Sequence, residues 1–590
     1  MATQVNQGLR IAKVVPLIRT GPVISIFDYA IPHGVSVVPG EHVTISFRQK
    51  SITGIVWSIT TKPVKSTRAL KELTPCIPRS ALTSEQIALA SWLHRETLTR
   101  LSNILRMAVP TLLRTQRNRS SRCAEISGVL WHTLDQHDEA VDAFVKKVRR
   151  EKSRTLIIVP THALVEFWKT KLEADAPVVL EGPVQSATYR KCVAQLSTAR
   201  FIICTQSGVL APFPEIQRIF VDWADDAGYA AFDQAPRFDI RSFIRWFAAE
   251  HRAQLVFFAR WATPWLLNVV PEKRWTVLPD RTTLTFIDRA NDPLRERMDI
   301  ITPTLARAVQ HSRTLWLLQR RGAAGVVICR DCGAPVVCPT CGAPARVVRI
   351  GNVEQMECTR DRIRFSMPET CATCASVRLS SRSPGVETVA DSLAKIFPGQ
   401  RICSVDREHI YGKLETAQHI VATSAIANDL TFRCDVCVIV QADALLKSGQ
   451  YLAEEEFVDL VSLAKQFLRG YQQVYIQTFQ PQHRALTGLL NLEKLSKTIL
   501  AERIALNYPP GGTLIVCQPR KNVRVHSTTA YSGVLPREVR ETAIGNARIL
   551  QTQNAHREHL LAFLAEHLDP AWEGTVDPPR LPRVDELVRI

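Results

Sequence analysis

Seven cysteines fall within the 46 residues from Cys329 to Cys374: Cys329, Cys332, Cys338, Cys341, Cys358, Cys371 and Cys374. Six of them form three Cys-x-x-Cys pairs. The first two pairs sit in Cys-Arg-Asp-Cys-Gly and Cys-Pro-Thr-Cys-Gly, which read as knuckle turns. Two intervening residues let both sulfurs reach one ion, and the glycine that follows accepts the bend. A fourth pair is broken, because Asp361 stands at the pair spacing after Cys358. Spaced knuckles with glycine turns are poorly explained as merely buried thiols. Thiolate-rich, filled sites leave no open position for catalysis, so the pattern predicts structural zinc. Ligand type alone leaves an iron–sulfur cluster open.

The 590 residues exceed one hydrophobic core and predict about three to five domains. No apolar run approaches the roughly 18 residues of a membrane span. The N-terminus, Met-Ala-Thr-Gln-Val-Asn-Gln, carries no basic-then-apolar leader pattern, and the expected location is the cytoplasm. Fifteen cysteines in such a compartment argue for metal rather than disulfides. Cys434 and Cys437 form a further Cys-x-x-Cys. They lie in Thr-Phe-Arg-Cys-Asp-Val-Cys-Val-Ile-Val, a buried-strand pattern without a glycine turn, and read as core thiols. Net charge is +18, and residues 1–120 hold 16 Lys/Arg against 5 Asp/Glu, a local excess of +11. That distribution suggests a polyanion partner, with simple solubility as the bland alternative.

Residues 1–113 begin with short alternating runs, Ile11–Leu17, Val43–Phe47 and Gly54–Ile59, and predict a small β-rich domain. A helical stretch over Ala81–Leu113 follows, with Thr83 as its cap. Residues 114–127 are a basic, Ser-rich linker. From residue 128 to 300 apolar strands alternate with helices, at Thr155–Val159, Phe201–Thr205, Ile219–Asp222 and Leu255–Ala259. The same grammar resumes over 301–510, with the cysteine cluster inserted at 326–377. Strand–helix alternation implies parallel sheets covered on both faces. The expected fold class is therefore α/β: a small β-rich N-terminal domain, two tandem RecA-like lobes with a zinc-binding insertion in the second, and a small C-terminal domain at 511–590.

Several stretches bring one family to mind. Thr205-Gln-Ser-Gly-Val-Leu-Ala-Pro-Phe-Pro, Asp222-Trp-Ala-Asp, Ala235-Pro-Arg-Phe, Ala262-Thr-Pro and Gln319-Arg-Arg-Gly follow in order before the first knuckle. Ile476-Gln-Thr-Phe-Gln-Pro-Gln-His and Asn507-Tyr-Pro-Pro come after it, while Phe27-Asp-Tyr and Thr53-Gly-Ile-Val fit at the N-terminus. Together they resemble the primosomal replication-restart helicases of the PriA family, in collinear order from about residue 9 to 510 and faintly through Val576-Asp-Pro.

The resemblance implies a protein that binds abandoned or stalled replication forks and recruits replication proteins. Its expected partners are branched or forked DNA, other primosome and replication proteins and single-strand-binding protein, with no membrane. It implies a 3′-terminus pocket at Phe27, Asp28, Tyr29 and Lys71, although Arg48 replaces a family glycine there. By the family's interleaved pairing it implies two zinc ions per chain. One would be held by Cys329, Cys332, Cys371 and Cys374, the other by Cys338, Cys341, Cys358 and Asp361. The winged-helix segment usual in the family is reduced here to the linker 114–127.

The motor parts have decayed. Phosphate binding in this fold needs a Gly-rich loop, a Lys and a Ser/Thr on magnesium. No Gly-x-x-x-x-Gly-Lys-Ser/Thr occurs, and the expected position reads Gly128-Val-Leu-Trp-His-Thr-Leu-Asp. Asp222 is left able to hold magnesium, but Trp223 and Ala224 replace the carboxylates that would activate water. Ser462-Leu-Ala-Lys-Gln-Phe-Leu-Arg-Gly stands where an arginine-finger segment is expected. The expectation is a fork-binding protein without helicase activity. The alternatives are an ATP-dependent 3′–5′ DNA helicase with an atypical nucleotide site, and a zinc-ribbon nucleic-acid-binding protein of another process.

Overall fold

The computed structural model of the chain describes residues 9–18, 26–47, 49–62, 70–76, 81–82, 84–108, 125–181, 187–209, 211, 213–231, 238–289, 291–292, 300–318, 327–329, 331–332, 334–340, 345–350, 353–358, 363–380, 386–405, 410–411, 414–440, 442–446, 451–519, 530–544, 547–569 and 572–578. Arg48, Thr83, Cys341, Asp361, the Gln319–Gly322 stretch and the linker up to residue 124 lie outside them.

The alternating runs near the N-terminus pair as an antiparallel sheet. Its strand order is Phe27–Ala30, Leu9–Pro16, Lys50–Lys62, His42–Phe47 and Thr74–Pro75. One face buries Ala12, Val14, Tyr29, Val43 and Val56. Val15, on the opposite face of its strand, joins the core of the next domain.

The predicted helix over Ala81–Leu113 is broken in two, Ser84–Thr97 and Leu101–Ala108. The break is at Leu98, whose φ of 51° lies in the left-handed region that leucine disfavours. Burial explains why it is tolerated. Leu98 enters the apolar core of the C-terminal domain, and Gly574 opposite has no room for a side chain, since a Cβ there would stand 2.4 Å from Leu98 Cδ1. On the preceding helix Trp92 stacks against Trp246 of the first lobe at 5.3 Å. The N-terminal helices thus bridge lobe one and the C-terminal domain.

Both lobes are parallel sheets, as strand–helix alternation predicted. The first runs Trp275–Val277, Ile126–Leu130, Gln254–Ala259, Arg218–Val221, Thr155–Ile158, Phe201–Cys204, Val178–Leu180. The second runs Thr283–Asp288, Leu468–Thr478, Cys434–Ile439, Thr314–Leu317, His419–Ala422, Ile402–Val405, closed by an antiparallel edge at Ile410–Tyr411. Thr283–Asp288 therefore belongs to the second sheet, although it precedes the boundary expected at residue 300. Cys434 and Cys437 are buried strand residues, as their pattern indicated.

The cysteine insertion follows Thr314–Leu317 and consists of small antiparallel sheets: Ile328–Cys329 with Leu379–Ser380, and Ala345–Ile350 with Val353–Cys358 and Arg364–Phe365. At the C-terminus, where the sequence pattern was mixed, a four-stranded antiparallel sheet (Arg540–Ile544, Ala547–Gln553, Gly512–Pro519, Trp572–Val576) carries the helix Arg557–His567. Arg557 ties this domain back to the N-terminal helix through Glu96 at 2.8 Å and to its own turn through Asp577 at 2.5 Å. Among the described residues no helix is long and apolar enough to cross a membrane.

Candidate metal centre and the closed interlobe cleft

Cys329, Cys332, Cys371 and Cys374 converge, with their sulfurs all within 4.8 Å of one another. Cys329 Sγ lies 3.6 Å from Cys374 Sγ, and Cys332 Sγ lies 3.6 Å from Cys371 Sγ. A tetrahedral zinc with Zn–S bonds of about 2.3 Å has sulfur–sulfur edges of about 3.8 Å, close to the two 3.6 Å separations here, so the four residues suit such an ion. Crowding couples the thiols. Burial pushes Cys332 up to about 12, while backbone N–H groups and the neighbouring sulfurs bring Cys371 down to about 6 against its own desolvation. Zinc binds the thiolate form, so its binding to these four residues would release thiol protons. Cys338 and Cys358 are buried beside Phe365. Their expected co-ligands Cys341 and Asp361 lie outside the described residues.

At the N-terminal sheet, Phe27 is half-buried and meets Phe47 edge-on at 4.9 Å, and Asp28 is exposed. Tyr29 is core, with its hydroxyl donating to the Ser46 carbonyl at 3.1 Å and burial raising its pKa. Lys71 is exposed and donates to Ser46 Oγ at 3.4 Å. Ser46 thus joins two of the predicted pocket residues. Its sequence context, alternate strand residues in His-Val-Thr-Ile-Ser-Phe, carries no signal for that role.

The segment where a phosphate loop would lie is short. The strand Ile126–Leu130 passes to the helix Leu134–Glu151 through only Trp131, His132 and Thr133. Thr133 caps the helix by accepting from the Gln136 N–H, and Gln136 Oε1 accepts from the His132 N–H at 2.9 Å. Gly128 is within the strand, where a Cβ would fall 2.2 Å from the Trp275 ring; this glycine makes room for an indole, not for a phosphate.

Asp222 corrects the sequence reading that left it free for magnesium. The residue is wholly buried. Its Oδ1 lies 2.8 Å from His137 Nε2 and 3.0 Å from the Trp223 N–H, and its Oδ2 accepts from Trp168 Nε1 at 2.8 Å. A carboxylate only accepts, so His137 carries its proton on Nε2. Trp131 and Trp223 fill the space beside this group, with ring centroids 5.8 Å apart and both side chains fully buried. Trp223 holds φ at 47°, a strained conformation for a bulky residue, of the kind that persists only where packing over-determines it.

The cleft between the lobes is tied across. Arg260 binds Asp225 Oδ2 at 2.7 Å and Gln466 Oε1 of the second lobe at 3.2 Å, and its guanidinium lies 5.3 Å from the Trp223 ring centre. Trp261 Nε1 donates to Asp459 at 2.7 Å, and Lys465 Nζ to Asp280 at 2.6 Å. Burial, reinforced by nearby Asp225, pushes the Asp459 carboxyl well above the usual range. One apolar cluster runs through both lobes, from Trp131 and Trp223 to Leu463 and Phe467. The segment expected to carry an arginine finger therefore supplies Lys465 and Gln466 as seam ties.

The pattern of the PriA 3′ DNA-binding domain matches residues 15–110, the sheet and helices that hold Phe27, Asp28, Tyr29 and Lys71. The replication restart protein PriA of Bacillus subtilis is 23% identical over 408 residues, covering 62% of this chain and 49% of that protein. The Haemophilus influenzae protein of the same name is 25% identical over 405 residues, 62% of this chain and 54% of that one. The chain is thus similar to PriA proteins along most of its length. The Rickettsia prowazekii PriA is similar over a longer stretch, 21% identical over 571 residues, 85% of this chain and 86% of that protein. Against the first two PriA proteins the chain spans about half of their length.

Proposed function

We propose that this chain is a replication restart protein that binds abandoned or stalled forks and recruits replication proteins without working as a helicase. The observation that carries the second half of this reading is the enclosure of Asp222 by His137, Trp168 and the Trp223 backbone. Magnesium bound there would have to displace three donors and two packed indoles. Without a phosphate loop, no group among the described residues beside Asp222 offers compensating binding energy. The seam ties oppose the lobe movement by which a motor converts hydrolysis into work. The similarity to PriA proteins and the match to a 3′ DNA-binding domain support the first half.

In this reading DNA contact is through phosphates and strand ends rather than base sequence. Asp28 and Lys71, both exposed, face the 3′ terminus, while Phe27 and Tyr29 shape the support beneath. Zinc occupies Cys329, Cys332, Cys371 and Cys374, and a second zinc takes Cys338, Cys341, Cys358 and Asp361. Branched DNA, other primosome proteins and single-strand-binding protein are the partners, and the cytoplasm is the place of action.

The test is binding and ATPase assays on forks with a free or a blocked 3′ end. Expected are salt-sensitive fork binding, preference for the free end and no DNA-stimulated hydrolysis. Hydrolysis abolished by Asp222→Ala would instead establish a working motor. Equal affinity for duplex RNA and forks would point to a zinc-ribbon protein of another process.

A further inference from the structure

The two knuckles of the Cys329–Cys374 site are built alike. In each, the N–H of the third residue donates to the first cysteine's sulfur: Asp331 to Cys329 at 3.4 Å, and Thr373 to Cys371 at 3.4 Å. In each, the first cysteine's own N–H closes the turn on a carbonyl five residues on, Cys329 to Ala334 and Cys371 to Ser376, both at 2.8 Å. The second and third positions differ, Arg330-Asp331 in one knuckle and Ala372-Thr373 in the other. Thr373 is neutral, whereas Asp331 brings a carboxylate to within two residues of ligands on either side.

That carboxylate reaches across to the other knuckle. Arg378 NH1 donates to Asp331 Oδ1 at 2.5 Å, and Ser376 Oγ donates to Asp331 Oδ2. Ser376 Oγ in turn accepts from the Arg378 N–H at 3.0 Å. The chain then enters Leu379–Ser380, which pairs with Ile328–Cys329, the strand leading into the first knuckle. Backbone pairing on one side and the Asp331–Ser376–Arg378 contacts on the other make a closed frame around the four sulfurs. The charges are also arranged consistently. Four thiolates on a divalent cation leave a net charge of −2, an unpaired carboxylate beside them would add to it, and the Arg378 guanidinium offsets that addition.

We propose that Asp331 and Arg378 are positioning residues for the metal: they touch no ion but hold the two knuckles at tetrahedral spacing and slow its release. Any release route that moves Cys329/Cys332 away from Cys371/Cys374 is resisted directly by this pair. Residues that orient metal ligands in this way typically change metal affinity by roughly 10–100-fold when removed. This inference is independent of whether the lobes hydrolyse ATP.

The experiment follows zinc release from the full, zinc-loaded chain into excess chromophoric chelator. Cys374→Ser identifies the kinetic phase belonging to this site. Asp331→Ala and Arg378→Ala are each expected to speed that phase by about 10-fold. The double variant is expected to be no faster than Asp331→Ala alone, because that substitution already removes the contact to Arg378. Arg378→Lys, which keeps the charge but loses the planar fork, should lie between. The sulfur-to-cobalt absorption band of the cobalt-loaded variants checks that four thiolates still bind. If Asp331→Ala loses that band, Asp331→Asn and Arg378→Lys carry the test. Release unchanged in the singles, or a double-variant rate increase equal to the product of the two single increases, overturns the proposal.

Discussion

His137 Nε2 and Asp222 Oδ1 lie 2.8 Å apart, with the two side chains 2% and 0% exposed. In a nucleotide motor the carboxylate at this position faces a metal. Here it is the acceptor at the centre of a dry cluster of His137, Trp168 and Trp223. Asp222→Ala would strand three buried N–H donors, each costing about 1–3 kcal/mol. The expected result in denaturant unfolding is a loss of about 3 kcal/mol or more, and magnesium–ATP should leave the wild-type midpoint unchanged. A nucleotide that raised the wild-type midpoint, as a ligand of the folded state must, and did not raise that of Asp222→Ala, would refute the closed site.

A second buried histidine sets a pH dependence. His419 Nδ1 accepts from Trp316 Nε1 at 3.2 Å, and Nε2 donates to Gln400 Oε1 at 2.7 Å, so the folded chain holds the neutral ring. Burial lowers its pKa from 6.5 to about 4. Protonation would turn Nδ1 into a donor facing another donor. Between about pH 6.5 and 4 the unfolded chain therefore binds a proton that the folded chain refuses. This contribution is complete above about pH 6.5, falls as pH drops, and flattens below about 4, with a span of about 3 kcal/mol. Unfolding curves of the wild type and His419→Gln should converge in their pH slope outside that window and differ inside it.

Metal content tests the insertion as a whole. Two zinc ions per chain are expected by elemental analysis of metal-loaded protein, and Asp361→Ala should lower the count to one, while Cys374→Ser depletes the other site. A wild-type count of one would mean that Cys338 and Cys358 are only core beside Phe365.

The sequence made the parallel lobes legible because strands such as Thr155–Ile158 and Phe201–Cys204 are buried on both faces and so read as unbroken apolar runs. The convergence of Cys329, Cys332, Cys371 and Cys374 was legible because Cys-x-x-Cys spacing encodes a local turn that survives any global arrangement. The helix break at Leu98 was not, since it depends on Gly574 some 476 residues away, a contact no local pattern records. The loss of the phosphate loop was visible as missing residues. What replaced it was not: Trp131 and Trp223 read as isolated bulky substitutions, and only the fold brings them together over Asp222. Ser46 went unnoticed for the same reason, because its carbonyl and hydroxyl matter through Tyr29 and Lys71 from other strands and loops.

That last arrangement separates support from recognition in the proposed 3′-end pocket. The Tyr29 hydroxyl is committed to the Ser46 carbonyl and its ring to the core, so Tyr29→Phe removes one hydrogen bond worth about 1 kcal/mol of stability. It should leave the preference for a free 3′ end intact. Asp28 and Lys71 are exposed, and Asp28→Ala or Lys71→Ala should reduce that preference with little change in stability. Lys71→Ala should also make fork binding less steeply dependent on salt, since it removes one phosphate-neutralising charge. The measurement is fork binding by each variant on free and 3′-phosphorylated ends, beside its denaturant midpoint. End preference lost in Tyr29→Phe but kept in Asp28→Ala and Lys71→Ala would move recognition from the exposed rim to the buried ring.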